Sequence, residues 1–156
     1  MTLQLESSAF TNGGNIPIDY TYNGRNVSPP LKISGVPRGS ASLILILDDP
    51  DAANEPAGSG KTFDHWLVYN IPAVDQEIAE DSVPNGCELG KNSTGRSDYI
   101  GPCPPTFRHK YVFRLFALDC RLDFASPPSK DEIENAINGH VIEKIEIVAY
   151  YKQPGK

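Results

Sequence analysis

The chain has 156 residues, of which 39% are hydrophobic and 22% charged, a balance that suits one globular domain with its own core and excludes a disordered chain. Its formal net charge is −6 and its sequence pI about 5.0, which argues against a nucleic-acid binder and against electrostatic attraction to anionic membranes. Fourteen prolines and 13 glycines favour turns and extended connections over long helices.

The first residues, Met1 to Glu6, carry no basic segment followed by an apolar one, so no signal peptide is expected. No apolar run reaches membrane-spanning length. The first forty residues alternate short extended pieces with turn signals at Asn12-Gly13-Gly14, Asn23-Gly24 and Ser28-Pro29-Pro30. Asn-Gly between such pieces predicts hairpins. Residues 42–47 form a continuous apolar run, short and bounded, which predicts a strand buried on both faces. Further strands are predicted over 65–71, stopped by Pro72, and over 110–118, where Tyr111, Phe113, Leu115 and Ala117 share one face. Ser129-Lys130-Asp131-Glu132 matches a capping box, with an apolar stripe at Ile133, Ala136 and Ile137 and a stop at Gly139. A last strand is predicted over 145–151. The expected fold is mostly β, a β-sandwich-like single domain over 1–156 with one or two short peripheral helices.

Chemistry gathers at the predicted strand ends. Strand 42–47 runs into Asp48-Asp49-Pro50-Asp51, where Pro50 must end or bulge the strand and holds two carboxylates on a stiff loop. Such a pair can bind a cation, accept from an ammonium, share a proton, or simply form a solvated turn. His65 opens one strand; His109 precedes another, with Tyr111 on the same side. Residues 98–105, containing Tyr99, Gly101 and Cys103 among three prolines, form a stiff extended loop leading into His109. Gly101 there would let backbone approach a ligand.

Other motifs are set aside. Gly60-Lys61-Thr62 lacks the upstream glycine of a P-loop, where Glu55 stands, and is followed by a strand pattern. Gly58-Ser59-Gly60 lacks the first glycine of a nucleophile elbow. Asn92-Ser93-Thr94 is a glycosylation sequon only in a secreted chain. His140 suits a helix end. A set of two His and two Asp ranks second as a metal site. Cys87, Cys103 and Cys120 are odd in number and lack a Cys-x-x-Cys spacing, so reduced thiols and a cytoplasmic location are expected.

Taken together, Asp49-Pro50-Asp51, the His65-to-Pro72 segment, Tyr99-Ile100-Gly101-Pro102-Cys103-Pro104-Pro105 and His109-Lys110-Tyr111 resemble the phosphatidylethanolamine-binding protein family. The Gly-Pro-Cys-Pro-Pro form and Gly139-His140-Val141 resemble its prokaryotic, Raf-kinase-inhibitor-like branch. The resemblance implies a β-sandwich with a small anion-binding pocket. Asp49, Asp51, His65, His109 and Tyr111 would line it, with Tyr99 and Gly101 on the loop beside it. One departure stands out: the family follows its acidic motif with Ala-Pro and a short loop, whereas Ala53 and a longer stretch through Glu55, Pro56 and Gly58 follow here. The rim of the pocket, and any cis-proline in it, thus fall outside what the resemblance implies.

The function expected is a binding module, not an enzyme, for a small phosphorylated or anionic ligand such as phosphate or a phosphoethanolamine-like headgroup. No metal or cofactor is expected. Both imidazoles, the Tyr111 hydroxyl and backbone N–H groups would donate to the anion, with Asp49 and Asp51 orienting the imidazoles or receiving an amine. The alternatives are an inhibitor of a kinase or serine protease and, with lower weight, a phosphoester hydrolase. Partners implied are the small ligand and a kinase or protease, with no nucleic acid and no integral membrane association, and with a homodimer left open.

Overall fold

Strict alternation along the apolar run beginning at Ser42 sets the architecture of the computed structural model, which describes residues 2–56 and 60–155. Residues 57–59, the centre of the longer loop and most of the Gly58-Ser59-Gly60 motif, lie outside the described residues. In chain order the elements are β1 (Gln4–Glu6), β2 (Leu31–Ser34), β3 (Ser42–Asp49), β4 (Phe63–Ile71), β5 (Gln76–Ile78), β6 (Glu88–Leu89), β7 (His109–Leu118), α1 (Lys130–Ile137) and β8 (Val141–Tyr151). Short 3-10 turns occupy Ile18–Tyr20 and Pro50–Asn54. The strands form two antiparallel sheets, one ordered β6-β4-β3-β7-β8 and the other β1-β2-β5.

All eight residues of β3 are buried. Leu43, Leu45 and Leu47 point between the sheets, where they meet Leu5, Ile33, Trp66 and Phe113. Ile44 and Ile46 point to the outer face of the large sheet and pack under α1 against Leu67, Ile133 and Ile137. The fold is therefore a mostly β sandwich with a helix on one outer face. The capping box of α1 is formed: Ser129 Oγ accepts from the Glu132 N–H at 3.3 Å, and the Glu132 carboxylate accepts from the Ser129 N–H at 3.1 Å.

One expectation needs correcting. The glycine turns of the first forty residues do not close local hairpins. Gly13 N–H donates to Val148 O at 2.7 Å and Ile16 N–H to Tyr150 O at 2.9 Å. This segment runs beside the distant β8 because Phe10, Ile16 and Tyr20 are drawn into the inter-sheet core. The small sheet of three-to-four-residue strands was not foreseen, since pieces that short carry little periodic signal.

Two bulges re-aim side chains. Between Leu47 and Asp48 the partners in β4 jump from Trp66 to Asp64, so His65 is the extra residue. Between Leu43 and Leu45 they jump from Ile71 to Val68, and Asn70 there adopts φ +54°. Asn70 donates through Nδ2 to Leu122 O, and its Oδ1 accepts from Leu122 N–H, fastening the chain that leads to α1.

Alternation continues into the acidic end of β3. Asp48 points to the helix side and meets Arg114 Nε at 3.0 Å and Lys130 Nζ at 3.3 Å, while Asp49 points between the sheets. Asp48 is 2% exposed, so removing it strands two partly buried cations. Asp48→Ala is expected to lower stability by about 3–5 kcal/mol in denaturant unfolding. A loss below about 1 kcal/mol would show that Glu146 and Asp64 satisfy those cations unaided.

Candidate functional site

At the end of the sandwich where β3, β4 and β7 bring Asp49, Phe63 and His109 together, a cavity of about 280 Å³ opens. Its walls are Phe63 and Ala52 on one side and Ile100, Gly101, Cys103, Pro104 and Pro105 of the stiff loop on the other. Its polar groups are Asp49, Glu55, His65 and His109. Among the described residues neither Lys nor Arg lines it.

His109 is 1% exposed and bracketed by carboxylates. Its Nδ1 lies 2.6 Å from Asp49 Oδ2 and its Nε2 lies 2.5 Å from Glu55 Oε2. An ionised carboxylate only accepts, so a ring nitrogen facing one donates to it. Burial pushes the Asp49 carboxyl up against the opposing effect of His109. Its other oxygen, Oδ1, accepts the Ala52 N–H at 3.1 Å and so caps the turn over Pro50–Asn54. For Glu55, burial also acts upward, but hydrogen bonds from Thr106 and His109 outweigh it and hold the carboxyl below its ordinary value.

His65 reaches the cavity because of its bulge; plain alternation from Trp66, which faces the inter-sheet core, would have turned it to the helix side. Its Nδ1 donates to Ile100 O at 2.6 Å, and Ile100 N–H donates back to His65 O at 3.2 Å. Burial lowers its pKa from 6.5 to about 4. The ring is thus neutral near pH 7, and its Nε2 is a lone-pair acceptor. The expectation that both imidazoles donate to an anion is corrected for His65: its desolvation, packed between Phe63 and Tyr111 with centroids at 4.7 and 5.4 Å, outweighs any nearby carboxylate.

Of the remaining expected residues, Gly101 lines the cavity, but its missing Cβ serves a packing contact. An added Cβ would meet Tyr20 O at 2.7 Å and Asn26 Oδ1 at 2.8 Å. Tyr111 lies behind the two imidazoles, fully buried, with its ring 6.1 Å from that of His109. Its hydroxyl makes no hydrogen bond among the described residues; burial, and next the Asp49 carboxylate, hold its pKa well above the ordinary phenol range. Asp51 and Tyr99 do not line the cavity. Asp51 Oδ2 accepts the Lys110 N–H at 2.7 Å, because the 3-10 turn after Pro50 rotates it away from Asp49. Tyr99 packs edge-on against Trp66 and donates to Tyr20 O at 2.6 Å. Glu55 was missed. The available signal was an acidic residue held by Pro56 on the loop that departs from the family pattern.

Cys87, Cys103 and Cys120 are unpaired. No described helix is long and apolar enough to cross a membrane. Gly60-Lys61-Thr62 leads into β4, not into a helix.

Residues 6–152 match the family model described as phosphatidylethanolamine-binding protein. A UPF0098 protein of Methanothermobacter thermautotrophicus is 39% identical over 156 residues, covering 97% of this chain and 99% of the relative. The solved structure of a phosphatidylethanolamine-binding protein homologue from Chlamydia trachomatis is similar with a TM-score of 0.91 at 37% identity, covering 97% of this chain and 98% of the other. E. coli YbcL, a member of the same family by its description, is similar with a TM-score of 0.86 at 28% identity, covering 98% and 99%.

The His65 environment generates a pH dependence. Between pH 6.5 and about 4 the unfolded chain binds a proton at this position that the folded chain refuses. Stability from His65 is therefore complete above that window and lost as pH falls through it, by about 3 kcal/mol in total. The difference in unfolding free energy between wild type and His65→Gln, measured across the window, is expected to shrink toward the acid end. A constant difference would show that His65 titrates normally.

Proposed function

The chain belongs to the phosphatidylethanolamine-binding protein family, and on that premise we propose that it is a non-catalytic binding module for a small phosphorylated headgroup, phosphate itself or a phosphoethanolamine-like zwitterion. The observation that carries this reading is the bracket on His109. Both carboxylates line the cavity; Asp49 faces Nδ1 and orients the ring, and Glu55 faces Nε2. Asp49 is fastened to its own turn, and Glu55, on the rim, is held by the Thr106 hydroxyl and N–H. A phosphate oxygen would take the place of the Glu55 oxygen on Nε2.

The other polar groups narrow the ligand. Nε2 of neutral His65 accepts, and so do the carboxylates, so the cavity favours a ligand that brings donors together with its anionic oxygen. A monoprotonated phosphate offers a P–OH, and a phosphoethanolamine headgroup offers an ammonium. The apolar walls at Phe63, Ile100, Pro104 and Pro105 exclude water around these contacts and strengthen them. The volume of about 280 Å³ suits a headgroup, and lies at or just under the lower end of pockets for drug-sized molecules, about 300 Å³. If a kinase or protease reads the state of the pocket, the rim carrying Glu55 is the surface it would read.

Because Glu55 competes for the same donor and adds negative charge, Glu55→Gln is expected to raise affinity for phosphate and phosphoethanolamine by about tenfold, equivalent to about 1.4 kcal/mol. His109→Gln should reduce binding to background. Calorimetric titration of both variants beside the wild type checks this. Unchanged or weaker binding by Glu55→Gln, or full binding by His109→Gln, would remove the bracketed imidazole from the ligand site.

A further inference from the structure

A second group of chemistry-bearing side chains lies away from the cavity, where the end of β7 meets the turn between α1 and β8. Asp119 and Cys120 follow β7, and His140 precedes β8. Their donor atoms, a carboxylate oxygen, a thiol sulfur and an imidazole nitrogen, lie within 4.8 Å of one another, the one such three-donor group among the described residues. We infer that Asp119, Cys120 and His140 form a binding site for a divalent transition-metal cation of the zinc class.

The backbone around the three donors is fixed by contacts independent of their side chains. The Asp119 N–H donates to His140 O at 3.0 Å, and the His140 N–H donates to Ile137 O at 2.8 Å. Ser42 Oγ donates to Cys120 O at 2.6 Å. Gly139, with φ +84°, makes the sharp turn that delivers His140. Two chain segments twenty residues apart are thereby clamped with their donors facing one another, and His140 Nδ1 already lies 2.8 Å from Asp119 Oδ1. Tetrahedral zinc, with metal–ligand distances of about 2.0–2.3 Å, separates its ligands by about 3–4 Å, so small side-chain rotations complete the set.

The donor types select the metal. A thiolate and an imidazole suit zinc or cobalt, whereas calcium and magnesium take oxygen ligands. Loading releases the Cys120 thiol proton to solvent, and the imidazole keeps its single proton on the nitrogen that does not coordinate. One thiolate and one carboxylate then balance the charge of a divalent cation. Both Asp119 and His140 are about half exposed, with side-chain values of 52% and 46%, so a metal ion has a direct path in and a fourth position open to water. The cavity histidines do not offer the same set: among the described residues they form no group of three such donors within this distance.

Titration of reduced, metal-free full-length protein with cobalt(II), followed by displacement with zinc(II), tests the assignment. One equivalent of cobalt(II) should produce a thiolate charge-transfer band that zinc(II) abolishes. Cys120→Ser should lose the band, while Cys103→Ser and Cys87→Ser keep it. Asp119→Asn and His140→Gln should each weaken binding by at least about tenfold, the smaller cost seen even for outer-shell partners. Zinc should raise the Tm of the wild type and leave that of Cys120→Ser unchanged, since the ion ties β7 to the α1–β8 turn. Absence of the band in wild type overturns the proposal. So does a band that survives Cys120→Ser but not Cys103→Ser, which would place the metal in the cavity. A band indifferent to both Asp119→Asn and His140→Gln would reduce it to a lone surface thiol.

Discussion

Strand β3 is buried along its whole length, yet it ends in two consecutive carboxylates. A buried carboxylate without a partner is costly enough that the surrounding structure must supply one. Because side chains alternate across a strand, the two carboxylates leave on opposite faces and recruit different partners. Asp48 collects Arg114 and Lys130 and ties the start of α1 to the sheet. Asp49 collects the His109 ring and the Ala52 N–H and ties β7 to the turn after Pro50. The helix side of the sheet and the cavity side are thus anchored from one dipeptide.

On the cavity side the second half of the pairing decides the chemistry. His109 donates one N–H to a carboxylate that holds it in place and the other to a carboxylate that lines the open space. His65, forced neutral by burial, presents a lone pair. Among the described residues no Lys or Arg lines the walls, so under the proposed function anion recognition would centre on one imidazole donor, whose partner in this state is Glu55. The proposed function would thus place a phosphate oxygen in an acidic chain, at net charge −6, without a basic patch. It would also carry a cost: Glu55 would leave as the ligand arrives, and specificity would follow from which ligands give back donors to the acceptors left behind.

Much of this was legible in the residues. The apolar run at 42–47, the shared face of Tyr111, Phe113, Leu115 and Ala117, and the capping box at Ser129 each follow a period or a spacing that the fold keeps. Asp49, His65, Gly101 and His109 do meet at one cavity. What was not legible depended on local backbone geometry. Asp51, two residues from Asp49, would share its face in a strand, but a 3-10 turn intervenes. Tyr99, two before Gly101, turns into the loop packing around Trp66 and Tyr20. His65 needed a bulge, which sequence alternation does not reveal, to reach the side on which it was expected. Glu55 lies in the segment that departs from the family pattern, where the resemblance carries no residue forward. The distant pairing of residues 13–16 with β8 was hidden because turn residues report a turn, not which strand lies beyond it.

The most direct test of the Asp49–His109–Glu55 bracket as the ligand site is a crystal structure of the protein soaked with phosphoethanolamine. A phosphate oxygen should stand on His109 Nε2 in place of the Glu55 oxygen, with Glu55 turned out of the cavity and the Asp49–His109 contact retained. A ligand bound in the cavity while Glu55 still holds His109, or a ligand bound elsewhere on the sandwich, would contradict it.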